Sequence, residues 1–208
     1  MTTGTKRMLA VIAGLAWLAV AWYGYWEIKK SDGDDWEGPY LVVAIALIIG
    51  AMLSVMAAAW VTQQGGRRRL RTAGLIVSAV GVAATLVAWA LPLWMTLLGV
   101  GFAMVASASA SRERRVVALL AAGQLLGLVA LFAGIAAEVG EPDSYGDYPA
   151  AGGISLIVTA ALTIVAMVEI TRTPTAHRLD AATRSLHRQH GANPAAGAEV
   201  VEAVVDLA

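Results

Sequence analysis

Apolar residues run along this chain in long blocks, and each block is apolar on every side. A helix needs about 20 such residues to cross a hydrocarbon core of about 30 Å. A soluble amphipathic helix would instead keep one polar face. Within the blocks, an Asp, Glu, Lys, Arg or His side chain occurs only at Glu169, near the end of the last one. The pattern predicts an all-α, polytopic membrane protein with six transmembrane helices, at about residues 8–26, 40–61, 73–91, 93–110, 116–137 and 154–170.

Pro92 separates the third apolar block from the fourth. Proline lacks an amide donor and disfavours a helical conformation at the residue before it. Trp89 and Trp94 flank it, as aromatic residues do at a membrane interface. The pattern favours a tight hairpin here over one long kinked helix. The six helices then form three consecutive hairpins. The first and third hairpins contain similar acidic loops, so an internal repeat of the hairpin unit is an open alternative.

Lysine and arginine are distributed unevenly between the two sides of this arrangement. Thirteen of the 15 basic residues fall on the side that also holds both termini. Because Lys and Arg accumulate on the cytoplasmic side of membrane proteins, we expect the N- and C-termini to be cytoplasmic. The other side has only Lys29 and Lys30. An alternative is that the first block is a signal peptide cleaved near residues 19–21, although the apolar run continues to Trp26 without a break.

Composition agrees with a membrane location and excludes several chemistries. Charged residues make up 14% of the chain, against about 25% in soluble domains. The chain has no cysteine, which excludes disulfides, thiolate metal sites and cysteine nucleophiles. No P-loop, zinc-protease or catalytic-triad pattern is present, so we expect no enzyme activity and no cofactor. The accumulation of basic residues on the cytoplasmic side of the membrane explains the arginine runs. We therefore expect no nucleic-acid partner.

The acidic loop at residues 31–40 is the one weak candidate for a metal site. Its carboxylates are oxygen ligands of the kind that calcium prefers. The spacing departs from an EF-hand loop. If Asp32 and Asp34 occupy the first and third positions of the loop, Trp36 occupies the fifth position, where a ligand is required. The simpler interpretation is an outward-facing connection of turn residues and interface anchors. The candidate ligands are Asp32, Asp34, Asp35 and Glu37.

Small residues recur at helical spacing inside several blocks. Helices in lipid associate where small side chains let their backbones approach closely. Gly123 and Gly127 form such a stripe, as do Gly50 and Ser54. Gln124 is the most polar residue of any block, and we expect it to form an interhelical hydrogen bond rather than to bind a substrate. The stripes favour packing within one bundle, and a homo-oligomer is the alternative.

Residues 171–208 form a cytoplasmic tail in this interpretation. Its first part is basic and has residues that favour the start, the interior and the end of a short helix. Its last segment, AEVVEAVVDLA, is too short to be a stable helix alone. Four apolar residues share one helical face there and are candidates for contact with a protein partner; the alternative is a disordered end. They are Val200, Val201, Val204 and Val205.

Three classes of function follow from these features. The first is a non-catalytic accessory or partner-binding component of a bacterial cytoplasmic membrane, in contact with membrane lipid. The second is a small transporter or channel for an apolar or neutral solute, in dimeric form if one chain is insufficient. The third, an enzyme, has no positive support. The pattern does not specify a substrate, a partner or a process.

Overall fold

The structure is a computed structural model that describes residues 3–31, 40–62, 67–87, 92–137 and 148–172. These residues form six helices, and no strand occurs among them. The all-helical part of the fold prediction is therefore confirmed. The helices are α1 (Thr3–Ser31), α2 (Tyr40–Val61), α3 (Arg68–Val87), α4 (Leu93–Ser107), α5 (Ser111–Ala136) and α6 (Pro149–Arg172).

Five of these helices are long and apolar enough to cross a membrane, namely all except α4. Their exposed side chains are mostly large and apolar, such as Leu41 and Leu15, which suits contact with lipid. The chain is accordingly a multi-pass membrane protein. Helix α4 has 15 residues, a length of about 22 Å, and is the shorter apolar element. Six crossings therefore remain a prediction, whereas five helices meet the requirement directly.

Four helices begin five residues earlier than the apolar blocks predict. Helices α1, α3, α5 and α6 start at residues 3, 68, 111 and 149. The added residues include Arg68, Arg69 and Arg71 in α3. In α1, α3 and α5 the added residues include charges, because a helical backbone continues into the interface, where long basic side chains extend to water. The residues added to α6, PAAGG, are uncharged, so charge does not account for that extension. Helix α2 has the predicted bounds, and its first turn has no acidic residue and its last turn no basic residue.

The helices close into a ring. Each one packs against its neighbours in sequence, and α1 packs against α6, more extensively than against α2. Helices α2 and α5 also touch across the ring, but only slightly. A single cluster of buried side chains fills the interior, with Trp17, Leu98, Phe102 and Leu120 among its largest fully buried members.

Two pairs of glycines allow helix backbones to approach closely. A Cβ placed on Gly24 of α1 would lie 2.7 Å from the carbonyl oxygen of Gly153 in α6. A Cβ on Gly74 of α3 would lie 2.7 Å from the carbonyl oxygen of Gly101 in α4. No other residue type fits such contacts without movement. The first contact lies towards the end of α1 and at the start of α6, and the second lies in the first half of α3 and at the middle of α4.

Candidate intramembrane polar site

Buried polar side chains lie at the same depth in four helices. Trp17, Ser78, Gln124 and Thr159 each fall within two residues of the middle of their candidate span, a distance of about 3 Å along the helix. All four are almost completely buried, with at most 1% of their surface exposed. Polar groups placed this far from water need partners inside the protein. Where those partners lie determines what the layer can do.

Trp17 has its partner in the neighbouring helix. Its indole Nε1 donates a hydrogen bond of 3.1 Å to Ser54 Oγ in α2. Ser54 in turn donates to the carbonyl oxygen of Gly50 at 2.7 Å. A Cβ on Gly50 would lie 3.1 Å from the indole nitrogen, so the missing side chain makes room for the ring. The predicted packing residues Gly50 and Ser54 thus lie against α1 of the same chain.

Most other hydroxyl groups in the described helices bond to their own backbone. Thr62, Thr85, Thr96 and Thr163 each donate to a carbonyl oxygen three or four residues earlier. This bond satisfies a buried hydroxyl without any second helix. Such a hydroxyl uses its proton within its own helix, and its oxygen keeps the capacity to accept a hydrogen bond.

Helices α4, α5 and α6 meet in a different kind of contact. A Cβ on Gly127 would collide with Thr159 Oγ1 and lie 2.7 Å from Met95 Cε. A Cβ on Gly123 would lie 3.1 Å from the carbonyl oxygen of Thr159. The Gly123–Gly127 stripe of α5 thus receives Thr159 of α6. Met95 of α4 completes the junction, because Ser155 Oγ in α6 donates to its sulfur at 3.7 Å.

Gln124 lies beside this junction without a hydrogen-bond partner for its carbonyl oxygen. A Cβ on Gly99 of α4 would be 3.3 Å from Gln124 Cβ, which places the residue against α4. Among the described residues, neither Gln124 Oε1 nor Thr159 Oγ1 has a hydrogen-bond partner. Burying such a group unpaired costs roughly 1–3 kcal/mol by mutational measures. We call Met95, Gln124, Ser155 and Thr159 the junction site.

We expected Gln124 to form an interhelical hydrogen bond, but its side-chain oxygen Oε1 accepts none from the described residues. The prediction treated polarity as sufficient for a bond. The glycines that bring α5 close to α4 and α6 present backbone and no side-chain donor to the amide oxygen. Ser78 in α3 is similar, because its buried Oγ has no partner among the described residues and abuts Gly101.

Charged groups gather at the other notable site, where α2 ends and α3 and α5 begin. The Arg71 guanidinium donates to the carbonyl oxygen of Thr62, which follows the last residue of α2. Arg71 also attracts Glu113 in the first turn of α5. One side chain of α3 thus bonds to the end of α2 and attracts a carboxylate at the start of α5. We call this arrangement the Arg71 tie.

The remaining predicted site residues lie outside the described residues. They are the metal candidates Asp32, Asp34, Asp35 and Glu37 and the partner-contact candidates Val200, Val201, Val204 and Val205. Within the described ranges, no three His, Asp or Glu side chains come together as metal ligands.

Sequence reasoning missed Trp17 and Arg71 as organising residues. Trp17 looks like one more apolar residue in a block, and Arg71 like one more charge in an arginine run. Depth was the available signal for Trp17, since it lies near the middle of its span, away from the interface where tryptophan is enriched. No pattern in the sequence separates Arg71 from its three neighbours.

Comparisons with protein-family models, with curated proteins and with solved structures found no match to this chain. The described helices alone therefore define its class, a multi-pass helical membrane protein.

Proposed function

We propose that this chain is a non-catalytic accessory component of a bacterial cytoplasmic membrane, which binds a protein partner through its C-terminal tail. The supporting observation is the state of the buried hydroxyls. Thr62, Thr85 and Thr163 bond to their own helices, and Ser54 is engaged by Trp17. A bundle whose polar groups are mostly used internally suits a scaffold better than a pathway or a catalytic centre.

The orientation belongs to the same proposal. Both termini lie in the cytoplasm, so that the tail meets cytoplasmic partners. The exposed Arg67, Arg68 and Arg69 lie near the start of α3, at the end where Arg71 joins α2 to α5. Each basic residue near the cytoplasmic surface adds about 1 kcal/mol of attraction to anionic lipid. The arginines hold the bundle in place and leave the tail for the partner.

The test is affinity purification in mild detergent of two forms, the full chain and a truncation after Pro174. Both forms retain every described helix. Proteins that co-purify are identified by mass spectrometry. A stoichiometric partner that is lost on truncation supports the proposal and identifies the process. If both forms purify alone and monodisperse, the partner-binding function is rejected.

A second candidate is a small transporter or channel for a neutral solute. One observation favours it, namely the two unpaired acceptors of the junction site at the middle of their spans. Proteoliposomes that contain the chain should then pass the solute faster than empty vesicles. Gln124→Leu should remove this flux and leave partner capture intact, whereas the truncation should do the reverse.

A further inference from the structure

We propose that the start of α3 and the start of α5 together bind the headgroup of one anionic phospholipid. This inference goes beyond the diffuse attraction of basic residues to a bilayer, because it assigns one lipid to one place on the bundle. It does not depend on partner binding by the tail. We call the exposed residues that form this place the arginine surface, and they are Arg67, Arg68, Arg69, Arg114 and Arg115.

The two arginine runs are distant in sequence and meet at one end of the bundle. Arg71 in the first turn of α3 attracts Glu113 in the first turn of α5, so the two helices begin close together. Both helices also pack against α4, which ends at Ser107, just before α5 begins. A single headgroup at this end can therefore contact arginines from both runs.

The charge of the arginine surface is not neutralised by the acidic residues of these helix starts. The first turn of α3 contains no acidic residue, and that of α5 contains only Glu113. Glu113 is already attracted to Arg71. The N-cap residue of α5, Ala110, forms no side-chain hydrogen bond with the first amide groups of the helix, and the helix dipole adds further positive charge at this end. The surface therefore favours an anion.

The side chains favour phosphate as that anion. Every basic residue of the surface is arginine. The planar guanidinium group offers paired donors that match two oxygen atoms of one phosphate, whereas lysine offers a point charge. A phosphate diester also keeps its negative charge at neutral pH, so that the attraction does not depend on a titrating group.

Apolar surface continues directly from the arginines, and this identifies the source of the phosphate as a lipid. Ile76 follows Arg69 by two helical turns on the same face of α3, about 10 Å further along the helix, and is 59% exposed. Leu126 follows Arg115 by three turns on one face of α5 and is 51% exposed. A phospholipid places its phosphate against the arginines and its acyl chains along these apolar residues. A free phosphate or a soluble acidic partner would leave the apolar residues uncovered.

Arg7 and Arg172 provide a matched control for the test. Both are exposed, and they lie near the start of α1 and at the end of α6. Helix α6 is antiparallel to α5, and α1 is antiparallel to α6, as the successive glycine contacts along each pair show. The control arginines therefore lie at the same end of the bundle as the arginine surface but on other helices. Replacing Arg69 and Arg114 with glutamine removes the same charge from that end as replacing Arg7 and Arg172.

Native mass spectrometry of the full chain, released from detergent, counts the lipids that stay bound. The probes are dioleoylphosphatidylglycerol and dioleoylphosphatidylcholine, which share their acyl chains and differ in net charge. The chain should retain one phosphatidylglycerol in preference to phosphatidylcholine. The double variant of Arg69→Gln and Arg114→Gln should weaken this affinity about tenfold to thirtyfold, since each basic residue near an anionic headgroup contributes a similar attraction. The double variant of Arg7→Gln and Arg172→Gln should leave the affinity unchanged.

Three results overturn the proposal. Equal weakening by the two double variants means that the arginines attract anionic lipid only diffusely. Equal retention of the two lipids means that charge is not recognised, and displacement of phosphatidylglycerol by excess inorganic phosphate means that the site takes a free anion. Both double variants should melt at the wild-type temperature in lipid-free detergent, because all four residues are exposed. Truncation after Pro174 retains the whole arginine surface, so loss of the lipid and loss of a tail partner are separate results.

Discussion

Adjacent glycines can have opposite surroundings. In α6, a Cβ on Gly153 would collide with the carbonyl oxygen of Gly24 and lie 2.8 Å from Ile28 Cγ1. A Cβ on its neighbour Gly152 would meet nothing within 4 Å. Adding the same methyl group at Gly152 or at Gly153 gives two variants of the same helix with the same composition. A comparison of the two therefore tests close packing alone.

Gly153→Ala should destabilise the bundle by about 1–3 kcal/mol, because the added methyl overpacks the contact between α1 and α6. Gly152→Ala should be neutral or stabilise by up to about 1 kcal/mol, since alanine favours the helix. Thermal unfolding in detergent, followed by circular dichroism, measures both. Equal stability of the two variants would contradict the close approach of α1 to α6.

The hydrogen bond between Trp17 and Ser54 gives a second prediction. Trp17→Phe, Ser54→Ala and the double variant form a cycle that isolates this pair. We expect a coupling energy of about 0.6 kcal/mol, with an upper range near 1.7 kcal/mol. Thr62→Val in combination with Trp17→Phe is the control, because Thr62 bonds only to its own helix and should show no coupling to Trp17.

Contacts of individual residues are less predictable from the sequence than the positions of the helices. The stripes at Gly50 and Gly123 indicate that some close contact exists, and the structure places both against other helices of the chain. Which helix each stripe meets depends on the tertiary arrangement. The hydrogen-bonding state of Gln124 depends on which residues of other helices lie beside it, and composition alone does not contain that information.

At the scale of helices, the Arg71 tie is the contact that depends on one side chain. Arg71 lies in the first turn of α3, yet it bonds to the residue after α2 and attracts the first turn of α5. Arg68, one turn earlier, is exposed. Two arginines of one run thus have different roles, one joining helices and one facing the head groups or water.

Arg71→Gln should lower the free energy of unfolding by about 1.5–3 kcal/mol, the usual contribution of a hydrogen bond to a charged group. Arg68→Gln should change it by less than about 0.5 kcal/mol, as exposed substitutions generally do. Denaturant titration in mixed micelles is the measurement. A larger effect for Arg68→Gln would mean that the two roles are reversed.

Helix positions were largely predictable, because a run of apolar residues that long has few alternatives. The ends were less so, since polarity marks where the lipid ends and not where the helix ends. The five-residue extensions of α1, α3 and α5, each of which adds arginine, show this difference directly. The length of α4 was also not apparent, because the alanines and serines at residues 106–110 are apolar enough to extend the block although the helix ends at Ser107.

For the whole molecule, the open question is whether α4 crosses the membrane. Its 15 residues give about 22 Å, short of the roughly 30 Å hydrocarbon core. Short helices are accommodated by local thinning of the bilayer at a modest cost. The chain lacks cysteine, so single cysteines can report the side of the membrane without any background.

With six crossings, Arg67→Cys and Ala110→Cys should be shielded from a membrane-impermeant maleimide in intact cells, and Tyr148→Cys should react. If α4 does not cross, Ala110→Cys reacts and Tyr148→Cys is shielded, while Arg67→Cys is unchanged. Val129→Cys, on the exposed side of α5 near mid-span, is the control. It should not react in either case, because a thiolate does not form in hydrocarbon.

The contact between α1 and α6 joins the two ends of the described bundle. The paired glycines, Gly24 and Gly153, are 129 positions apart. Ribosomes add about 5–20 residues per second, so the first helix waits about 6–26 s in the bilayer before its principal neighbour is synthesised. During that interval the Gly24 surface is bare to lipid and to other nascent chains. If synthesis stops before the sixth helix, this surface of α1 stays uncovered. Membrane chaperones and proteases can then recognise the incomplete chain by that exposed surface.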